Sequence, residues 1–119
     1  MAEAQSYTGG CHCGAVRFTC TTDISTVIEC NCSHCSMKGL LLAFSPRDRF
    51  TLEKGQESLT EYRFNKRVIA HQFCKVCGVE PFSFGTDPNG VNTAALNVRC
   101  FDGVDITSLN RMAYDGAKA

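Results

Sequence analysis

Apolar and polar residues alternate over short stretches of this chain, and nowhere do they recur at the spacing of a long amphipathic helix. In "AVRFTCTT" (15–22), Val16, Phe18 and Cys20 fall on one face and Arg17, Thr19 and Thr21 on the other. This pattern predicts a half-buried strand with Cys20 as a core thiol. "STVIEC" (25–30) predicts a second strand ending on Cys30, and the apolar run "LLLAFS" (40–45) a third, buried on both faces. The stretch "CNCSHC" (30–35) therefore falls on a connection between strands. "FTLEKG" (50–55) predicts a strand closed by Gly55, while "SLTEYRF" and "RVIAHQF" flank Asn65 and Lys66 as a tight hairpin leading into Cys74. "PFSFGTD" (81–87) and "VNTAALNV" (91–98) are separated by turn residues Asp87, Pro88, Asn89 and Gly90, and "DITSLN" (105–110) predicts one helical turn. The expectation is a mostly β chain.

Composition narrows the function. A chain of 119 residues can enclose one modest core, so a single domain over 1–119 is expected, and no repeat or linker divides it. Twelve basic and twelve acidic residues give zero net charge, which offers no general affinity for nucleic acid or an anionic membrane. The longest apolar run, Gly39 to Phe44, is too short to span a bilayer, and "MAEAQSYTGG" lacks the basic start and apolar stretch of a signal peptide. A cytoplasmic location is expected. Exposed edges in a β-rich domain also suit a homodimer.

In a reducing compartment, clustered thiols are more often metal ligands or redox groups than disulfides. The nine cysteines are 11, 13, 20, 30, 32, 35, 74, 77 and 100, an odd number that would leave one over in a full disulfide framework. "FCKVCG" gives the clearest metal half-site: Cys74 and Cys77, followed by Gly78, which can take the positive φ of a tight knuckle. A tetrahedral zinc needs two more ligands, supplied by Cys11 with Cys13 or by two of Cys30, Cys32 and Cys35. The division that leaves three at "CNCSHC" uses every clustered thiol, and three ligands with a vacant fourth position is a catalytic pattern.

Taken together and in order, "GGCHCGAVRF", "CNCSHC", "GQESLTEYRF" and "HQFCKVCGVEPFSFG" resemble the glutathione-dependent formaldehyde-activating enzymes and their relatives, which include centromere protein V. The similarity covers roughly residues 7 to 105. It implies a small zinc-stabilised β-tent fold built of short antiparallel sheets. It also implies two zinc ions per chain, one structural on Cys11, Cys13, Cys74 and Cys77, and one catalytic on Cys30, Cys32 and Cys35. The implied activity is that of a carbon–sulfur lyase joining glutathione to formaldehyde.

The chemistry of such a centre agrees. Three thiolates outweigh the charge of zinc and make it a poor activator of water, but a good partner for a fourth, substrate thiolate. An aldehyde attacked by that thiolate would give an S-hydroxymethyl adduct. One departure bears on the site: relatives often have histidine where Asn31 stands, whereas here a histidine occurs as His34. A fourth ligand from His34 would make the second zinc structural.

Other residues have plain readings. His12 should point to solvent, His71 should occupy an ordinary strand position, and Cys100 should be a core or partly exposed thiol. Arg63, Lys66 and Arg67 crowd one hairpin, as a solvated turn or as partners for the carboxylates of an anionic thiol. Asn97 and Arg99 follow a strand and could face a pocket. Three functional classes result, in this order: an enzyme of thiol–aldehyde adducts, a zinc-stabilised binding scaffold, and a redox or metal-exchange protein.

Overall fold

The structure is a computed structural model and describes residues 4–63, 69–87 and 89–115. The strands are β1 (Gln5–Gly10), β2 (Arg17–Thr22), β3 (Thr26–Cys30), β4 (Leu42–Pro46) and β5 (Phe50–Lys54), then β6 (Leu59–Tyr62), β7 (Ala70–Cys74), β8 (Phe82–Thr86), β9 (Asn92–Asn97) and β10 (Asn110–Tyr114). A short helix, α1 (Ser33–Lys38), connects β3 to β4. The fold is mostly β, as the alternation predicts. β1, β2 and β5 form one antiparallel sheet in the order β1-β2-β5, and the other seven strands form a second in the order β10-β3-β4-β9-β8-β7-β6. The pairing of β10 with β3 is parallel, so the second sheet is mixed.

The two sheets are joined by phenylalanines. Phe18 of β2 is 1% exposed, stacks on Phe50 of β5 at 5.6 Å and meets Phe82 of β8 edge-on at 5.7 Å. Phe101 meets Phe18 at 6.0 Å, completing a cluster to which both sheets contribute. Alternation explains why β2 supplies it: Phe18 and Cys20 point inward while Arg17, Thr19 and Thr21 remain partly exposed. Where β1 passes this cluster it needs glycine. A Cβ on Gly9 would come within 2.5 Å of the Cys100 carbonyl oxygen and 2.8 Å of the Phe18 ring.

The run 40–45 corrects one expectation. Leu40 and Leu41 are buried but precede the strand, and within β4 Phe44 is 50% exposed, so the strand is not buried on both faces. Leu42, on the same face as Phe44, is covered because it packs with Cys35 of α1. The helix reaches no farther along that face than a six-residue element can.

The β6–β7 hairpin forms with Leu59 opposite Cys74 and Tyr62 opposite His71, whereas Asn65 and Lys66 lie outside the described residues. At the next turn, the Asp87 carboxylate accepts hydrogen bonds from the backbone N–H groups of Asn89 and Val91, both at 2.9 Å, while Pro88 lies outside the described residues. Residues 105–110 include the expected single turn, a 3₁₀ segment at Ile106–Ser108 capped by Asp105. Among the described residues no helix is long and apolar enough to cross a membrane.

Candidate metal centres

Two turns that are far apart in sequence bring four sulfurs together. After β1, the Cys11 N–H bonds the Val16 carbonyl and the Gly14 N–H bonds the Cys11 carbonyl, folding Cys11 and Cys13 into a knuckle closed by Gly14 at φ 82°. After β7, the Gly78 N–H bonds the Cys74 carbonyl at 2.7 Å, and Gly78 takes φ 83°. The knuckle predicted from "FCKVCG" is therefore present. The thiols of Cys11, Cys13, Cys74 and Cys77 all lie within 4.8 Å of one another.

Their spacing fits zinc. Sulfurs about 2.3 Å from one tetrahedral zinc stand about 3.8 Å apart, and Cys11 to Cys13 measures 3.6 Å and Cys13 to Cys74 3.7 Å. All nine cysteines are free thiols. Without a cation the four compete for protons. For Cys77, burial raises the thiol pKa, but hydrogen bonds from the Val79 and Cys13 backbone and from neighbouring thiols outweigh it and bring it down to about 6. Cys13 goes the other way. The Ala15 N–H favours its thiolate, yet burial and the adjoining thiols push it up to about 11.

The second group is built on one connection. Cys30 ends β3, Cys32 is the N-cap of α1 and Cys35 lies within the helix, and their three sulfurs also fall within 4.8 Å of one another. The Cys32 sulfur accepts from the Cys35 N–H at 3.4 Å, and the Cys30 sulfur accepts from the Cys32 N–H at 3.5 Å. Gly39, at φ 67°, ends the helix by donating its N–H to the Cys35 carbonyl. Burial and the neighbouring thiols Cys32 and Cys30 raise the Cys35 pKa well above the ordinary thiol value. At Cys32, burial acts in the same direction, but the Cys35 and His34 N–H groups and the adjacent thiols outweigh it and lower the pKa. Leu40, Leu42, Ile28 and Ala95 pack around this group as a separate apolar cluster.

His34 belongs elsewhere. Its Nε2 lies 2.7 Å from Glu80 Oε1, and His71 Nδ1 lies 3.1 Å from Glu80 Oε2. Asn31 turns toward the chain's C-terminal strand, donating from Nδ2 to Asp115 at 3.0 Å while its N–H bonds the Tyr114 carbonyl.

A model of the family described as glutathione-dependent formaldehyde-activating enzyme matches residues 6–112. The chain belongs to that family. A crystal structure of a Rhodobacter sphaeroides protein is similar, at 26% identity and a TM-score of 0.77, over 88% of this chain and 99% of that one.

In this formaldehyde-activating family member the remaining candidates fall as follows. His12 is exposed and Cys20 is buried in the core. Cys100 is partly buried beside the Glu80 carbonyl, and burial raises its pKa to about 12. Asn97 is buried, and its Nδ2 donates to the Glu80 carbonyl at 3.0 Å while its Oδ1 accepts from the Arg99 N–H. Arg99 is exposed and donates from Nε to the Gly39 carbonyl at 2.9 Å, at the end of α1. Arg63 bonds Glu61 at 2.7 Å, while Lys66 and Arg67 lie outside the described residues. His71 does occupy a strand, but it is 5% exposed and turned to Glu80 rather than an ordinary strand residue. Glu80 was not singled out by sequence reasoning, because its partners are 9 and 46 positions away.

Proposed function

We propose that this chain is a zinc-dependent enzyme of thiol–aldehyde adducts, a carbon–sulfur lyase resembling S-(hydroxymethyl)glutathione synthase. It acts as a single cytoplasmic domain carrying two zinc ions. Cys11, Cys13, Cys74 and Cys77 hold the structural ion, and Cys30, Cys32 and Cys35 hold the catalytic one. The observation that carries this reading is the inequality of the two thiol groups: four sulfurs converge in one and three in the other, whose nearest histidine, His34, is drawn to Glu80. Family membership supports the same substrates, glutathione and formaldehyde.

Bound by three thiolates, zinc supplies a soft site that keeps a substrate thiolate deprotonated yet nucleophilic at neutral pH. The chain's own part is to fix that site. The Cys32 and Cys35 N–H groups hold the Cys30 and Cys32 sulfurs in place, and the apolar residues Leu40 and Leu42 shield the Cys35 side of the group from water. Arg99, bonded to the Gly39 carbonyl, places an exposed guanidinium at the end of the same helix, suited to a carboxylate of glutathione.

The test is exchange NMR on glutathione and formaldehyde mixtures, with the uncatalysed rate subtracted. The zinc-loaded protein should speed interconversion of free and S-hydroxymethyl glutathione, and Cys35→Ser should remove the excess. Binding of glutathione should strengthen as pH rises toward the pKa of its thiol, because the ligand must lose a proton. Thiol binding without acceleration would point to a carrier. No thiol binding to the zinc-loaded protein would instead favour the scaffold reading.

A further inference from the structure

A third group of donors lies outside both thiol clusters. His34 comes from α1, His71 from β7 and Glu80 from the loop between β7 and β8, so three separate segments converge. Their side chains are 10%, 6% and 2% exposed. A carboxylate and two imidazoles this deeply buried are costly unless each meets a partner. His34 Nε2 and His71 Nδ1 approach opposite oxygens of the one carboxylate, at 2.7 and 3.1 Å, and one donor atom from each of the three residues lies within 4.8 Å of the others.

Nitrogen and oxygen donors about 2.0–2.2 Å from a tetrahedral zinc-sized cation stand about 3.3–3.6 Å apart. The 2.7 and 3.1 Å contacts would open by less than about 1 Å to admit one ion between the three donors. The surroundings hold the donors in orientation. Tyr62 stacks on the His34 ring at 5.6 Å, the two histidine rings lie 4.0 Å apart, and Asn97 Nδ2 anchors the Glu80 backbone carbonyl at 3.0 Å. These contacts fix the ring planes and the Glu80 backbone, so the three donors keep their mutual orientation.

We propose that His34 Nε2, His71 Nδ1 and Glu80 form a third cation site, for a borderline first-row divalent ion, distinct from both cysteine clusters. Two imidazoles and one carboxylate select such an ion over calcium or magnesium, which prefer oxygen, and over the soft ions that thiolates take. The proposal does not depend on catalysis at the three-thiol group.

The experiment is a titration of the full-length, reduced, metal-free protein with Co²⁺, followed by absorbance and by mass spectrometry under native conditions. Binding at the cysteine groups adds sulfur-to-cobalt charge-transfer absorption, whereas binding at His34, His71 and Glu80 adds none. One further equivalent should bind without any gain in that absorption. It should be lost, with at least a ten-fold weaker affinity, in His71→Ala and in Glu80→Gln, and kept in His12→Ala and Cys35→Ser. Because His71→Ala removes a buried ring and can fail to fold, the wild-type protein gives a second readout. On adding Zn²⁺ beyond saturation of the thiols, the nitrogen resonances of His34 Nε2 and His71 Nδ1 should shift while those of His12 stay. Saturation with only thiolate-absorbing equivalents, or an extra equivalent that survives Glu80→Gln or vanishes with His12→Ala, would overturn the site. So would histidine nitrogens that do not respond to Zn²⁺, which would leave Glu80 as a hydrogen-bond acceptor between two histidines. A failure of the proposed enzyme chemistry would leave this count of thiolate-free equivalents unchanged.

Discussion

The two thiol groups use similar turns to different ends. In the four-thiol group, Cys13 and Cys74 stand 61 positions apart, so closing it ties the end of β1 to the end of β7 across most of the fold. In the three-thiol group every donor lies within residues 30–35, on one connection and the first turn of α1. Closing a long loop removes far more conformational freedom from the unfolded chain than ordering a local turn does. A cation in the first group would therefore contribute mainly to folding, and one in the second would be lost or exchanged at smaller cost to the fold. Their position relative to the core follows the same division. Cys11 and Cys74 belong to the main aromatic core, whereas Cys35 sits in the small satellite cluster with Leu40 and Leu42.

The largest expected effect breaks the long-range group. Structural zinc in small peptides contributes about 10–16 kcal/mol, as much as the whole stability of an ordinary domain. Cys74→Ser should thus give insoluble or unfolded protein, and prolonged chelation of the wild type should abolish its cooperative thermal transition. A Cys74→Ser protein with an unchanged melting temperature would erase the distinction between the groups.

A smaller effect sharpens it from the other side. Cys35→Ser should stay folded, with a loss of about 1–3 kcal/mol for altering one buried side chain. It should bind one zinc fewer and show no catalysed adduct exchange. Circular dichroism alongside metal analysis separates these outcomes, and unfolding as severe as that of Cys74→Ser would contradict the division.

The smallest effect lies at the surface beside the first knuckle. Arg17 of β2 pairs with Asp102, which also accepts from the Thr8 hydroxyl at 2.8 Å. The Arg17 hydrogen bond, followed by that of Thr8, holds the Asp102 carboxyl below its ordinary pKa. A carboxylate with a depressed folded-state pKa contributes stability that is fully present above its unfolded value, about 3.9, and is lost as pH falls through the folded one. Asp102→Asn should therefore cost no more than about 1 kcal/mol at neutral pH, since the pair is partly exposed. Its penalty should fade in acid, and 1 M salt should shrink it. An equal penalty at pH 7 and pH 2.5 would show that the pair's charge plays no part.

Local spacing and alternation account for much of what is observed. The inward set Val16, Phe18 and Cys20, the knuckle at Cys74–Gly78 and the closeness of Cys30, Cys32 and Cys35 all depend on contacts within a few residues, which residue order specifies directly. Elements without such a signal escaped the sequence reading. β10 is exposed at every position and so has no apolar face to alternate, β1 ends in two buried glycines, and α1 is too short for a helical period to show. By itself the sequence determined a mostly β chain with seven clustered thiols and a conspicuous spare histidine. Spacing alone left open which pair completes the Cys74–Cys77 knuckle, although the motif resemblance pointed to Cys11 and Cys13; that these four sulfurs converge, and that His34 faces Glu80, is seen only in the tertiary structure. Both depend on packing between residues tens of positions apart, and no periodicity along the chain encodes a contact at that range.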